Sequence, residues 1–336
     1  MMVLTYILTL VVPSGSFERM MNDGKESIIP GTYHVTQDGI PFWKWLLSPI
    51  MVLCSSQGGT MIAVIAFLLV IGGTFNSLDR SGTMDYIRFG TGDRTLLMLP
   101  GLGDSLRSVK GAAVPMAVMY REFARKFTVY SFSRIDPMPS GYTIRDMARD
   151  LAQAMAVLEI DRADVFGVSM GGMIAQWLAI DHPQRVDRLI LAVTCPEPNP
   201  ILLEALDEWV ALAKAGDHGA FMKSTLRRIY SEGYCRKNLW MAPILGLLTK
   251  PRSYERFFIQ ANACREHDAL AQLPGIRARA PVIGGEQDKA LGGAASRTIA
   301  AAIPGAELKM YPQWGHGLYE EAKDFNGVLL EFLAGL

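Results

Sequence analysis

Ser169 stands in Gly167-Val168-Ser169-Met170-Gly171, preceded by the apolar run Val165, Phe166, Val168 and followed by Met170, Met173, Ile174 and Trp177 at helical spacing. The apolar period changes from that of a strand to that of a helix without a linker, so a sharp turn falls on the serine. Glycines on both sides spare a strained backbone any side-chain crowding and keep the approach to the hydroxyl open. A turn of small residues that only packs a helix onto a sheet would share this local pattern. The two readings part on whether a base and an orienting acid exist elsewhere, because a serine hydroxyl is a weak nucleophile without them.

Five histidines are available. His34 lies in a polar stretch near the start, His182 follows the serine helix, and His218 and His267 fall in a helical region. Only His316 follows a strand, Leu308 to Tyr311, in the loop Pro312-Gln313-Trp314-Gly315-His316-Gly317 before the last helix. It is the candidate base. The strand Val282 to Gly285 leads to Glu286-Gln287-Asp288, which makes Asp288 the first candidate acid, with Glu286 and then Glu197 as alternatives. A Gly-rich loop, Pro100-Gly101-Leu102-Gly103-Asp104-Ser105, follows the apolar strand Thr95 to Leu99. Backbone amides there can face a cavity where oxyanion charge develops, and those of Leu102 and Met170 are the candidate pair. Cys54, Cys195, Cys235 and Cys264 show no metal-ligand spacing, so they read as free thiols of a reducing compartment, with no metal site.

These residues need a scaffold that brings distant loops to one edge. From Met84 onward strand, loop and helix alternate, the pattern of a mainly parallel sheet covered on both faces. Helices are expected over Ala113 to Phe127 and Thr143 to Leu158, the latter capped by Thr143 with Asp146 and buried through Ile144, Met147, Leu151, Met155 and Leu158. Strands are expected at Met84 to Phe89, Thr128 to Phe132 and Val186 to Val193. From Pro196 to about Leu273 only helical segments follow, a lid whose aromatic residues, Trp209, Trp240, Tyr254, Phe257 and Phe258 among them, pack it onto the sheet or line a pocket.

The first 83 residues differ. No charged side chain occurs between Lys44 and Asp79, and Gly58 to Phe75 is 18 uncharged residues, close to the roughly 20 that span a bilayer. A transmembrane helix is expected at 58–75, with the aromatic stretch Phe42 to Leu53 at the interface and Ser14 to Gly39 as an exposed polar loop. Arg80, Arg88 and Arg94 follow the span, whereas only Lys44 lies close before it. The positive-inside rule then places the catalytic part in the cytoplasm, tethered to the membrane. Net charge is zero and no Lys/Arg run is interleaved with aromatics, which argues against nucleic acid as a partner.

Two resemblances follow from these motifs. TYILTLVVPSGSFERM, IIPGTYHV and FLLVIGGTF, over residues 4 to 83, resemble the beginning of four-carbon-dicarboxylate-carrier-type (YfcC-like) permeases. Such permeases use many spans, so the resemblance implies an anchor or a fused remnant here, not transport. MDYIRFGTGDRTLLMLPGLGDS, GVSMGGMIAQWLAIDHPQRVDRLIL, GGEQDK and WGHGLYEEAKDF, over residues 84 to 336, resemble the successive motifs of α/β-hydrolases, in which the order serine, acid, histidine recurs. That resemblance implies an α/β-hydrolase fold with a helical lid, a serine hydrolase acting on an ester, thioester or similar acyl bond of a small molecule, and no cofactor. The first hairpin strand of that fold is either missing or supplied by Leu78 to Thr83. Carbon–carbon bond hydrolysis by the same three residues, or an inactive hydrolase-like fusion protein, remain open on the sequence alone.

Overall fold

The computed structural model describes residues 15–22, 25–35, 77–79, 83–106 and 108–335, and the chain divides into two units, Met1–Leu68 and Leu69–Leu336. In the first unit β1 (Gly15–Asn22) and β2 (Lys25–Val35) form an antiparallel hairpin, paired from Gly15↔Val35 to Asn22↔Lys25. This corrects the expectation of an exposed loop over Ser14 to Gly39. Polarity hid two strand signals: the tight-turn pair Asp23-Gly24 between the strands, and the β-formers Ile28, Ile29, Thr32, Tyr33 and Val35. The expected span at 58–75 lies outside the described residues, as does the aromatic stretch before it. Among the described residues no helix is long and apolar enough to cross a membrane.

The second unit is built on a sheet of eight described strands. In chain order these are β3 (Ser77–Asp79), β4 (Thr83–Phe89), β5 (Arg94–Leu99), β6 (Phe127–Phe132), β7 (Ala163–Val168), β8 (Val186–Ala192), β9 (Pro281–Gly285) and β10 (Glu307–Tyr311). Their spatial order is β10-β9-β8-β7-β5-β6-β4-β3. Pairing is antiparallel at β3–β4 and β4–β6 and parallel elsewhere. The first hairpin strand is therefore present, supplied by Ser77–Asp79 against Thr83–Asp85.

The central strands are apolar on both faces because both faces are covered. Leu97 and Leu99 of β5, Val165 of β7 and Leu189 and Leu191 of β8 enter one core. Their neighbours Leu96, Met98, Phe166, Ile190 and Ala192 enter the other. Each such leucine, buried completely, stabilises the fold by about 1.5–3 kcal/mol. The helices α1 (Ala113–Met119), α2 (Ile144–Val157) and α3 (Met170–Asp181) connect the central strands. The lid comprises α4 (Pro200–Lys214), α5 (His218–Ile229), α6 (Glu232–Asn238), α7 (Ala242–Thr249) and α8 (Glu255–Arg265). Then α9 (Gly293–Ala302), α10 (Leu318–Glu321) and α11 (Phe325–Ala334) follow β9 and β10.

Two helices differ from expectation. The helix expected over Ala113 to Phe127 stops at Met119, continues only as a short 3-10 turn at Phe123–Arg125, and yields Phe127 to β6. Strand pairing decides this: Phe127 is taken into β6 opposite Arg94 of β5, and Tyr120, Phe123 and Phe127 still enter one core. The serine helix α3 is buried on all sides from Met170 through Ala179, not along one stripe.

The cap of α2 is as expected, with Thr143 accepting from the Asp146 amide at 3.1 Å and Asp146 accepting from the Thr143 amide at 3.0 Å. Thr143→Ala is expected to lower unfolding free energy by about 1 kcal/mol, read as a shifted urea midpoint with an unchanged slope.

Candidate active site

Ser169 joins β7 to α3 with φ 56° and ψ −123°, a conformation that costs a non-glycine residue on the order of 1–3 kcal/mol. Its surroundings hold it there. Its amide donates to the Ala192 carbonyl at 3.0 Å, and its carbonyl accepts from Gly172 N at 2.9 Å and Thr194 Oγ1 at 2.7 Å. A Cβ on Gly171 would overlap the Leu99 carbonyl oxygen, and one on Gly167 would lie 2.5 Å from the Gly171 oxygen. These glycines therefore spare the turn the backbone crowding expected there, by letting helix approach strand closely; the atoms a side chain would meet are backbone and not the serine hydroxyl. The residue that does flank the serine side chain is Gly101, where a Cβ would stand 3.2 Å from Ser169 Cβ.

His316 is buried in the loop after β10, and its Nδ1 hydrogen bonds Asp288 Oδ2 at 2.8 Å. With Asp288 as acceptor, Nδ1 carries the proton and Nε2 is the basic nitrogen. Asp288 Oδ1 accepts the amides of Ala290 at 2.8 Å and Leu291 at 2.9 Å. Burial raises this carboxyl, but the His316 charge, its hydrogen bond and those two amides outweigh burial and hold it below the usual carboxylate range. Although β9 has only five residues, backbone pairing runs past its end: Glu286 N donates to Tyr311 O and Gln287 N to Trp314 O, both at 3.1 Å. The loop glycines allow this, since a Cβ on Gly285 would meet the Trp314 and Gly315 carbonyl oxygens at 2.5 Å.

Of the alternative acids, Glu286 is turned outward to Arg297, and Glu197 is half-buried with no bond to His316. His218 bonds Tyr254 Oη at 2.6 Å within the lid. His267 accepts from Trp177 Nε1 at 3.3 Å and is pushed down to about 4, chiefly by burial. Neither is placed beside Ser169.

Ser169, His316, Leu102 and Met170 line one cavity of about 480 Å³. Leu102 opens a 3-10 turn, Leu102–Ser105, and Met170 opens α3. The first amides of a helix have no partner within it, so both are donors available to a ligand. The cavity wall is mostly apolar, with Trp209 and Phe257 from the lid among its members, whereas Trp240 is 67% exposed to solvent. Cys264 also lines it, but burial pushes its thiol up to about 12, so it carries no thiolate near neutral pH. Among the described residues no group of three His, Cys, Asp or Glu side chains is placed to hold a metal ion.

One set of residues escaped the sequence reading. Asp104, buried beneath the Gly-rich loop, accepts from Ser133 Oγ at 2.5 Å, Arg134 N at 3.1 Å and Arg256 Nη2 at 3.2 Å. The Arg134 guanidinium bonds the Pro100 carbonyl at 2.7 Å, fixing the peptide just before the loop. Arg256 belongs to α8, so the same carboxylate ties the lid to the loop. A charged residue inside a Gly-rich apolar loop was the available signal.

The alpha/beta hydrolase fold family matches residues 94–323. Two proteins named "Putative carbamate hydrolase RutD" are similar. The one from Variovorax paradoxus is 28% identical over 59% of this chain and 75% of its own length. The one from Yersinia enterocolitica is 25% identical over 71% and 87%. A hydrolase structure from Pseudomonas aeruginosa superposes with TM-score 0.66 at 26% identity, covering 78% of this chain and 98% of that one. MGS-M2, an alpha/beta hydrolase enzyme from a deep-sea metagenome library, gives TM-score 0.69 at 23% identity over 76% and 96%.

Gly171→Ala is expected to cost about 2–3 kcal/mol, because the Leu99 carbonyl cannot retreat without breaking β5. Urea unfolding of the variant beside the unaltered chain would read it, and an unchanged midpoint would contradict the close approach.

Proposed function

The chain belongs to the alpha/beta hydrolase fold family, and on that premise we propose that it is a serine hydrolase cleaving an ester, thioester or similar acyl bond through Ser169, His316 and Asp288. The observation that carries this reading is the strained Ser169 and the Asp288-bonded His316 opening onto one cavity. Ser169 Oγ attacks the acyl carbon while His316 Nε2 takes its proton, and Asp288 holds the resulting imidazolium. The Leu102 and Met170 amides receive the developing oxyanion. Collapse expels the leaving group, protonated by His316, and water releases the acyl group by the reverse proton path. The name carried by the RutD relatives, carbamate hydrolase, denotes cleavage at an acyl carbon as well, which supports the bond class. The apolar wall favours a substrate with hydrocarbon next to that carbon.

A fluorophosphonate probe tests the reading. The purified full chain is expected to be labelled, and Ser169→Ala and His316→Ala are not. Absence of labelling in a chain shown folded by circular dichroism would leave the inactive hydrolase-like protein instead.

The acid is tested separately. Asp288→Asn is expected to lower the labelling rate by roughly 10³–10⁴-fold, because the amide favours the wrong imidazole tautomer. Glu286→Gln should stay within about twofold, as its carboxylate faces Arg297. Equal losses in the two variants would overturn the assignment of Asp288.

A further inference from the structure

Among the described residues, the cavity that holds Ser169 and His316 has two carboxylates in its wall, Asp104 and Glu320, and no lysine or arginine. Asp104 is balanced, since Arg256 pairs with it at 3.2 Å and the Arg134 amide and Ser133 hydroxyl complete its bonds. Glu320 is not. Its Oε2 accepts one hydrogen bond, from Tyr230 Oη at 2.5 Å, and no cationic side chain among the described residues pairs with it. The adjacent Glu321 offers no relief, for it is turned to Ser231, accepting from its amide at 2.9 Å and its hydroxyl at 2.6 Å. His316, four residues earlier, directs Nδ1 to Asp288.

Phenols surround this carboxylate. Tyr120 and Tyr319 line the same cavity, and Tyr230, stacked on Tyr234 with centroids 4.1 Å apart, anchors Glu320. Burial first, then the Glu320 charge, push the Tyr120, Tyr319 and Tyr230 hydroxyls up, so all three rings stay neutral and electron-rich. Glu320 itself remains accessible to solvent, and its carboxyl is raised by desolvation and by the adjacent Glu321 charge, against the Tyr230 hydrogen bond. A carboxylate with no cationic partner among the described residues, lining an apolar cavity beside aromatic rings, is the chemistry that receives an organic cation and repels a carboxylate.

We propose that the substrate of this site carries an ammonium group, received by Glu320 with Tyr120 and Tyr319 while Ser169 attacks its acyl carbon. This rests on the serine hydrolase reading above.

The test compares two esters of one shape, a 2-(trimethylammonio)ethyl ester and its carbon isostere, the 3,3-dimethylbutyl ester, on the full chain and on Glu320→Gln. The expected result is a kcat/KM about tenfold higher for the ammonium ester, the size of a partly desolvated cation contact, with the ratio falling to near one in Glu320→Gln. An equal rate on both esters in the unaltered chain, or a preference that survives in Glu320→Gln, overturns the proposal. Calorimetric titration with tetramethylammonium reads the same site without turnover. Binding weakened about tenfold by Glu320→Gln supports it, and no binding to the unaltered chain overturns it. Hydrolysis of the neutral ester without ammonium binding sinks this inference and spares the serine hydrolase. Ammonium binding without probe labelling at Ser169 does the opposite.

Discussion

The approach of α3 to the end of β5 is the constraint on which the site depends. Gly171 lies so near the Leu99 carbonyl that no side chain fits between them, and this contact fixes where the helix starts. Between a strand buried along its whole length and a helix buried through its first ten residues, the chain must turn within one residue. That residue is Ser169, and its positive φ is the cost of the geometry. Strain of this kind persists only where neighbours over-determine it, and here the Ala192 carbonyl, the Thr194 hydroxyl and the Gly172 amide do so. The same contact sets the Gly-rich loop beside the serine, so candidate nucleophile and candidate oxyanion amides share one anchor.

A second, separate device places the candidate base. Two parallel strands, β9 and β10, end together, and their loops continue to pair by backbone hydrogen bonds through Gln287 and Trp314. Asp288 and His316 therefore meet by main-chain register, with little freedom left to the side chains. Both Asp288 oxygens are occupied, one by ring and one by amides, which fixes the imidazole orientation. The lid touches this device directly, as Gly317 N donates to the Ile229 carbonyl at the end of α5 at 2.7 Å. Through Arg256 and Asp104 it also touches the Gly-rich loop. The lid region thus bears on both halves of the candidate site and contributes residues to the cavity wall.

Much of the site was legible in order along the chain. The change of period around Ser169, the strand before His316 and the strand before Asp288 each left a local pattern of apolar residues and glycines. Choice among the acids was not legible, because Glu286 and Asp288 stand two residues apart and only the turn after β9 decides which one faces the ring. The helix expected to Phe127 ended early for a similar reason, since Phe127 is drawn into β6 by pairing with Arg94 of β5, a partner distant in the chain. The hairpin at Gly15–Val35 was missed where polarity was read ahead of the Asp23-Gly24 turn signal.

By itself the sequence determined the alternation of strands and helices, the strand-to-helix turn at Ser169 and the chain order of the three candidate residues, because these follow from the spacing of apolar residues and glycines between near neighbours. Tertiary structure alone decided that Asp288 is the partner of His316, that Asp104 joins loop to lid, and that Glu320 enters the cavity wall with no cationic partner among the described residues. Each of those is a pairing between residues distant in the chain or a choice of direction within one turn. Such outcomes depend on strand register and on which charges burial brings together, and local spacing carries no record of either.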